Sequence, residues 1–555
     1  MEKRWQIKKP APRKFIERFP EYHPIILQLL YHLGLKNERE METFLDPDWE
    51  RDLGDPFLLK DMEKAVSRIK DAIKNKDKVG IFGHFDVDGV TAAAVLKIAL
   101  EKMGLKTSVY IPDRQEGYGI IEEGIFQFQK EDVKLIITGD CGISSASEVE
   151  LCKKMNIDVI ITDHHEIPAL LPKAKAIINP HQKDCRYPFK ELAGVGVAFK
   201  LVQALGLPPK DLKWLIDLVG LGTICDVVPL SGENRLLAKF GLLVLNKTKR
   251  IGLKQLYEIA QITPGEIDTY AVSFIIGPRL NAPGRMDHAN TAFYLLLSKN
   301  AAKAHELAIA LNDHNKERQD LLKKMLDEAK REIETKGLLK NKLILIGKNS
   351  WPDGIVGLLA GRLKDEYSRP VLALTIGEKE SKGSARSVDN FHITEILADC
   401  SDCLLKFGGH KRAAGFSLKT AKIKELYEKL IKMAEVKLKD DDLLSKIEID
   451  AEVNLADITW DFWQELNKFE PTGFANPVPL FLARKVKPES VRKVGKKFQH
   501  LKMTINGLDA IYFNGGEIND RVVLNYPIDI VFKIDLDEFK GRRKLQLKIV
   551  DLKMA

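Results

Sequence analysis

Val79-Gly80-Ile81-Phe82-Gly83-His84-Phe85-Asp86-Val87-Asp88-Gly89 is the stretch that decides the fold. A short apolar run reads as a buried strand, and it breaks at once into an imidazole and two carboxylates. Thr91 to Met103, apolar and free of proline, reads as the helix that follows. The pattern recurs at Thr107 to Ile111, Lys134 to Thr138, Asp158 to Thr162 and Ala176 to Ile178, with helix-like sequence between the runs. Such alternation predicts an α/β domain with a parallel, doubly wound sheet. In an open parallel sheet the carboxyl ends of the strands share one edge, where sites form. That edge collects His84, Asp86 and Asp88 from the first strand, Asp140 from the Ile136-Ile137-Thr138 strand, and Asp163, His164 and His165 from the Ile160-Ile161-Thr162 strand. Asp226, after the apolar run Leu218 to Cys225, is expected to reach the same edge.

Carboxylates converging in one crevice repel by several kcal/mol once water is thinned, and divalent cations resolve that repulsion. Oxygen-rich ligation with a minority of imidazole suits Mn²⁺ first and Mg²⁺ second, better than structural zinc. A two-metal site able to run a phosphoryl displacement is the expectation. Taken singly, Asp86 or Asp163 reads as a helix N-cap and Asp163-His164-His165 as a polar turn; the constellation argues otherwise. No G-x-x-x-x-G-K-[ST] loop or H-E-x-x-H pair occurs, and Gly194-Val-Gly196 reads as a helix start packed on the sheet.

Working outward, 555 residues exceed one hydrophobic core, so several domains are expected. A Pro-rich, irregular N-terminal arm (1–60) precedes the first α/β domain (61–290). Ala301 to about Thr335 is charged, helical in composition and free of proline, and reads as a long connecting helix within 291–338. A smaller α/β domain (339–436) opens at Lys342-Leu-Ile-Leu-Ile346, continues through a Gly354 to Leu363 helix and a Pro370 to Thr375 strand, and closes on Gly408-Gly409-His410. Short alternating strands in 445–555 (Leu501 to Ile505, Leu508 to Phe513, Ile528 to Lys533, Leu545 to Val550) suit a small β-barrel, with the OB-fold a candidate. Gly277-Pro278-Arg279-Leu280-Asn281-Ala282-Pro283-Gly284-Arg285 reads as a rigid loop presenting two guanidinium groups to phosphate.

The net charge of +8, from 87 basic and 79 acidic residues, does not by itself establish a polyanionic partner. Its distribution says more: Arg484, Lys485, Lys487, Arg492, Lys493, Lys496, Lys497 and Lys502 face the single acid Glu489, and Lys540, Arg542, Arg543 and Lys544 follow. Six cysteines make no disulfide scaffold, and Cys400-x-x-Cys403 reads as two thiols on one helical face. With no apolar span and no signal-like start, a cytoplasmic address and no membrane contact are expected.

In order along the chain, His84-Phe-Asp-Val-Asp-Gly89, Gly139-Asp-Cys-Gly142, Asp163-His-His165 and Cys225-Asp-Val-Val-Pro229 resemble the metal-site motifs of the DHH phosphoesterases. Within them the chain resembles the RecJ exonuclease family along almost its whole length. The resemblance implies that Asp86, Asp88, Asp140, His164 and Asp226 are metal ligands, with His84 a further ligand or a phosphate contact. Asp163 and His165 then orient a ligand or the leaving oxygen, with His165 able to act as general acid. Arg279, Asn281 and Arg285 fall in a RecJ signature; Ser384-Ala-Arg386 and Gly408-Gly409-His410 resemble the substrate-binding motifs of the DHH-associated domain. Trp351-Pro-Asp-Gly354 fits the same domain, with proline where the family pattern has histidine. Phe469 to Pro477 resembles the entry to the RecJ OB-fold. What is implied is a metal-dependent, single-stranded-DNA-specific exonuclease, 5′-to-3′, in repair and recombination, with a single-strand-binding protein or helicase as partner. Two rivals are a DHH phosphodiesterase of oligoribonucleotides or cyclic dinucleotides, and an inactive single-strand-binding replication scaffold.

Overall fold

The computed structural model describes residues 3–555 apart from 115, 118, 287–289, 519–521 and 539–542. Lys540 and Arg542 of the basic C-terminal run lie outside the described residues.

The first sixty residues are not irregular. Strand β1 (Arg4–Ile7) pairs in parallel with a strand far downstream, Lys446–Ile449. The helices Pro24–His32 and Glu38–Leu45 follow, with Pro24 in the first turn, where its missing N–H is harmless. Prolines that look disruptive in the sequence therefore mark helix starts. These helices bury Ile26, Leu29, Leu30, Met41 and Phe44 in one core with the C-terminal barrel.

The sheet of the first α/β domain has five parallel strands, β2 (Lys78–Phe82), β3 (Lys106–Tyr110), β4 (Val133–Thr138), β5 (Asp158–Thr162) and β6 (Ala176–Ile178), in the order β3-β2-β4-β5-β6. Alternation decides what each side covers. Ile81, Ile137, Ile160 and Ile178 pack under the helices Met62–Asn75, Val87–Lys102 and Gly194–Ala204. Phe82, Ile136, Ile161 and Ile177 pack under Glu122–Lys130 and Ala146–Lys154. Each fully buried aliphatic contributes about 1.5–3 kcal/mol. The helix expected from Thr91 starts earlier, at Val87, because Asp86 caps it by accepting the Gly89 N–H at 3.0 Å.

The connecting helix runs Ala301–Thr335, as its composition predicts, and its far end (Met325, Ala329, Ile333) packs into the second α/β domain. There the order is β10-β11-β9-β8-β7, with β7 (Ile344–Lys348) and β8 (Val371–Thr375) parallel, and β9 (Glu380–Arg386), β10 (Lys406–His410) and β11 (Ala413–Lys419) antiparallel. The helix Asp353–Tyr367 covers Val371 and Ala373 of β8. The helix also reaches Ser384 and Arg386 of β9, and the same face of β11 and β10 beyond it is left open as a floor.

The last hundred residues form a seven-stranded, mainly antiparallel sheet of OB type. Most of the basic run falls on its hairpin Pro488–Val494/His500–Ile505. Arg484 pairs with Glu452 and Asp529, and Lys502 with Asp509. Arg492, Lys493, Lys496 and Lys497 stay exposed beside Phe498, without a carboxylate partner among the described residues.

Two further expectations change. Gly277 to Arg285 is helical, following a π-helical turn Ala271–Ile276: Pro278 and Pro283 sit in the first turns of the short helices Gly277–Asn281 and Pro283–Met286. Cys400 and Cys403 are buried core thiols on a 3₁₀ turn, with Cys403 donating to Glu425. No helix among the described residues is long and apolar enough to cross a membrane.

Candidate active site

The strand ends deliver their side chains to one edge, as the periodicity requires. His84 and Asp140 are 6% and 2% exposed, so a tight, water-poor crevice forms. His84 Nδ1 stands 3.1 Å from Asp86 and 3.4 Å from Asp140. His164 Nε2 stands 3.2 Å from the other Asp140 oxygen, 3.6 Å from Asp226 and 3.9 Å from Asp88. Three overlapping ligand clusters result, His84–Asp86–Asp140, Asp140–His164–His165 and Asp88–His164–Asp226, each with its donor atoms within 4.8 Å of one another, so that Asp140 and His164 each stand in two of them. Asp140 Oδ1 and Asp226 Oδ2 are buried acceptors with no hydrogen-bond donor, the expected mark of a site built for cations.

Local structure explains each placement. Asp140 sits at φ 64°, a left-handed turn that swings its carboxylate off the strand end, while its N–H donates to Thr162 O. Asp88, 1% exposed, accepts from the N–H groups of Gly194 and Val195 at 2.7 and 2.8 Å, so the N-terminus of a neighbouring helix holds it. Gly194 is needed there: a Cβ would lie 2.4 Å from an Asp140 oxygen. Asp226 comes from the end of the helix Pro209–Cys225, not from a strand, and the next residue, Val227, is a β-branched residue at φ 63°, 64% exposed. Asp163 is fully buried; it accepts from the Ile143 and His164 N–H groups and holds His165 Nδ1 at 2.7 Å.

The electrostatics follow. Burial and the charges of Asp140 and Asp226 push Asp88 well above the usual carboxylate range. Burial pushes Asp226 up to about 7, with His164 opposing and Asp140 adding to the rise. Burial opposes the charged form of His84, but Asp86 and Asp140 overcome it and lift the imidazole to about 10. His165 is likewise raised against its burial by Asp163. Without cations, the crevice retains protons to offset its own charge.

Phe85, Asp86, Asp88, Arg114, Asp226, Asn281 and Arg285 line a cavity of about 220 Å³ over the clusters. It opens through Arg114, Gly284 and Arg285 into a groove of about 1280 Å³ floored by the second domain. Strand register puts Lys382, Ser384 and Arg386 beside Ser417, Gly415 and Ala413, and those beside Lys406, Gly408 and His410, all on one face. Small residues run down the middle with cations at the ends. A Cβ on Gly408 or Gly415 would meet nothing within 4 Å, so these glycines keep the floor open. Gly409 differs: its φ of 146° and a Cβ position 2.3 Å from Ala413 O demand glycine structurally. The Gly-rich run is thus an edge strand.

The remaining expected residues are placed as follows. Arg285 donates to Gly354 O at 3.0 Å; burial and the like charges of Arg114, Arg318 and Arg386 pull its pKa down to about 10. Arg279 points back to Ile275 O and Asn312, away from the cavity lining. Asn281 accepts the Val87 N–H at 3.0 Å and so braces the loop between Asp86 and Asp88. His410, 71% exposed, meets Glu166 at 3.7 Å across the groove. Trp351 is buried and donates to Glu328.

Sequence reasoning missed Arg114, which lies over the Phe85 ring at 4.6 Å and donates to Gly284 O. The signal was present: Pro112-Asp113-Arg114 follows the carboxyl end of β3, on the same sheet edge as the clusters. It also missed the Gly194 and Val195 amides, since backbone donors leave no trace in residue type.

Family models match the DHH family, N-terminal domain over residues 78–223, the DHHA1 domain over 340–439 and the RecJ OB domain over 449–551. The single-stranded-DNA-specific exonuclease RecJ of Bacillus subtilis is 40% identical over 558 residues, covering 99% of this chain and 70% of that protein. RecJ of Salmonella typhimurium is 32% identical over 591 residues, with 100% of both covered. The crystal structure of RecJ in complex with Mn²⁺ from Thermus thermophilus superposes with a TM-score of 0.84 at 28% identity, covering 100% of this chain and 80% of that one. The likeness spans nearly the whole chain, and the chain belongs to the RecJ family.

Proposed function

We propose that this chain is a divalent-metal-dependent exonuclease that hydrolyses phosphodiester bonds of single-stranded DNA, 5′-to-3′, in repair and recombination. The observation that carries the reading is the set of overlapping acid–imidazole clusters around Asp140 and His164, under a cavity that opens into a cation-edged groove. His84, Asp86 and Asp140 would hold one ion, and Asp88, His164, Asp226 and Asp140 the second. The buried acceptors without donors fit such ions, and an oxygen-rich set suits Mn²⁺ or Mg²⁺. When bound, the ions supply a nucleophilic water and neutralise charge on the phosphate under attack.

The chain's own groups do the rest. The Gly194 and Val195 amides and Asn281 hold Asp88 and its loop in place. Asp163 fixes the His165 ring and favours its charged form against the burial that opposes it, suiting it to give a proton to the departing oxygen. Arg114, Arg285 and Arg386 line the groove, where the cations outnumber Asp113 and Asp353, and they grip phosphate oxygens of the strand end. Ser384, Gly408 and His410 line the floor. The barrel's exposed cations and Phe498 draw in unpaired DNA, since a flexible single strand can thread to a buried cavity and offer bases for stacking.

The expected arm (1–60) packs in one core with the OB-fold (445–555), and this unit would capture the strand, the DHH-associated domain (339–436) grip it and the DHH domain (61–290) cut it, with the connecting helices (291–338) between the last two. Six free thiols and the want of a membrane-crossing helix among the described residues support a cytoplasmic setting. A single-strand-binding protein or a helicase would present the strand. An oligoribonucleotide or cyclic-dinucleotide phosphodiesterase has no use for the barrel, and a scaffold has none for the clustered ligands.

The test is hydrolysis of 5′- and 3′-labelled single- and double-stranded DNA, and of RNA, with Mn²⁺, Mg²⁺ or EDTA. Metal-dependent loss of single-stranded DNA from its 5′ end, abolished by Asp140→Ala, supports the proposal. Tight binding without cleavage in any metal would overturn it.

A further inference from the structure

The cavity over the ligand clusters is lined by acids and arginines, with one aromatic side chain, Phe85, among its described residues. Phe85 stands in the chain between His84 and Asp86, where a residue that merely linked the two could be small and polar. Its half-buried ring is held from two sides. The ring centroid is 4.0 Å from that of the His84 imidazole, and the Arg114 guanidinium lies over it at 4.6 Å. Arg114 is itself tied down, donating to Gly284 O at 3.3 Å. A Cβ on Gly284 would lie 2.6 Å from Phe85 O, so the glycine lets this segment close against the Phe85 backbone. The ring is thus a fixed apolar piece of the cavity wall.

The other lining groups cannot tell DNA from RNA. Ions held by the acids, and arginines gripping phosphate, meet the same phosphodiester in both. What differs is C2′ of the sugar, apolar in DNA and hydroxylated in RNA. A nucleotide whose phosphate sits over the clusters presents its sugar to the cavity wall. A hydroxyl placed against a phenyl ring loses its water and gains no partner. The lining offers it little elsewhere, since no side chain there is a hydroxyl and Asn281 Oδ1 is taken by the Val87 N–H.

We propose that Phe85 sets the sugar specificity of the chain: its ring receives the C2′ edge of the nucleotide being cut and favours deoxyribose over ribose. The inference rests on the exonuclease reading and deepens it. An apolar wall rejects an added hydroxyl by no more than about a hundredfold, which bounds the preference.

The experiment is steady-state hydrolysis with Mn²⁺ of one 5′-phosphorylated sequence made as DNA, as RNA and as a 2′-fluoro strand, by the full-length wild type, Phe85→Leu, Phe85→Ala and Phe85→Asn. The wild-type ratio of kcat/KM for DNA over RNA should lie at about 10 to 100, and the 2′-fluoro strand, which carries no hydroxyl to desolvate, should be cut more like DNA. Phe85→Leu keeps an apolar wall and should keep the ratio. Phe85→Asn offers the hydroxyl a partner and should lower the ratio at least about tenfold. Phe85→Ala opens the wall to water, should move the ratio the same way, and stands in if melting or Mn²⁺ titration shows that Phe85→Asn has lost its fold or its ions. A ring that merely braced the loop would slow both substrates alike. An unchanged ratio in a folded, ion-binding Phe85→Asn or Phe85→Ala, or a wild type that degrades RNA as fast as DNA, would overturn the selector and leave the exonuclease standing. Failure of the wild type to cleave either strand under any metal would overturn both.

Discussion

Asp140, a carboxylate in a left-handed turn, stands with His84 and Asp86 on one side and with His164 and His165 on the other. Its replacement should disable both ion sites at once. Asp140→Ala is expected to lower kcat by at least about 10³-fold with little change in DNA binding, checked by pairing hydrolysis with fluorescence-anisotropy titration. The proton balance of the crevice gives a second prediction. Asp226 is pushed up to about 7 from an ordinary 3.8, and His84 to about 10 from 6.5, so the folded, metal-free site holds protons that an entering cation must displace. Mn²⁺ affinity should therefore rise as pH increases from about 6 to 8, with net proton release, by up to about tenfold per pH unit for each proton displaced. Titration calorimetry in buffers of different ionisation enthalpy measures this directly. By the same sign, the metal-free protein should lose stability as pH climbs from about 4 to 7, since over that window the native state binds a proton at Asp226 that the unfolded chain does not. A flat Mn²⁺ affinity across the range would show that these groups do not titrate against the metal.

At the scale of elements, the two adjacent glycines of β10 separate ligand binding from folding. Gly409→Ala forces a side chain into the Ala413 carbonyl at an unfavourable φ and should cost about 1–3 kcal/mol in stability. Gly408→Val projects into open space and should leave melting unchanged while raising KM. Melting curves beside KM values check the pair. Arg235 offers a second test of elements. Although 1% exposed, it donates to the carbonyls of Phe44, Lys468, Phe469, Glu470 and Pro471, tying the N-terminal helices and the entry to the barrel onto the DHH domain. Removing it orphans buried carbonyls, and Arg235→Ala should destabilise this junction by about 3–5 kcal/mol, seen as early proteolysis near residue 470 with the parallel sheet intact.

The elements also show what a sequence makes legible. The parallel strands and the connecting helix were readable because their own composition dictates them: apolar β-rich runs ending in acids, and a proline-free charged stretch. The gathering of acids and histidines on one edge followed, since strand ends in such a sheet share one side. Segment 277–286 and the N-terminal sixty residues were misread for one reason. Proline breaks a helix interior but starts a helix well, and only the packing around Pro24, Pro278 and Pro283 says which applies. Asn281 was read as a substrate contact, yet its acceptor is used by the Val87 N–H, a bond between residues 194 positions apart in sequence.

At the scale of the whole molecule, two cationic surfaces lead to one acidic crevice, the floor of the second domain and the arginines at the cavity mouth, and the barrel hairpin adds a third cationic surface to the chain. A strand drawn in by long-range attraction meets bound cations only at the end of the path, which favours attack near a terminus over cleavage within the chain. The proposed chemistry needs two ions, which His84, Asp86, Asp140, Asp88, His164 and Asp226 would hold. The measurement that reaches it most directly is anomalous scattering at the manganese edge from crystals grown with Mn²⁺. Two peaks a few ångströms apart are predicted, one within reach of His84 and Asp86, the other of Asp88, His164 and Asp226, both touching Asp140. A single peak, or ions bound away from Asp140, would contradict it.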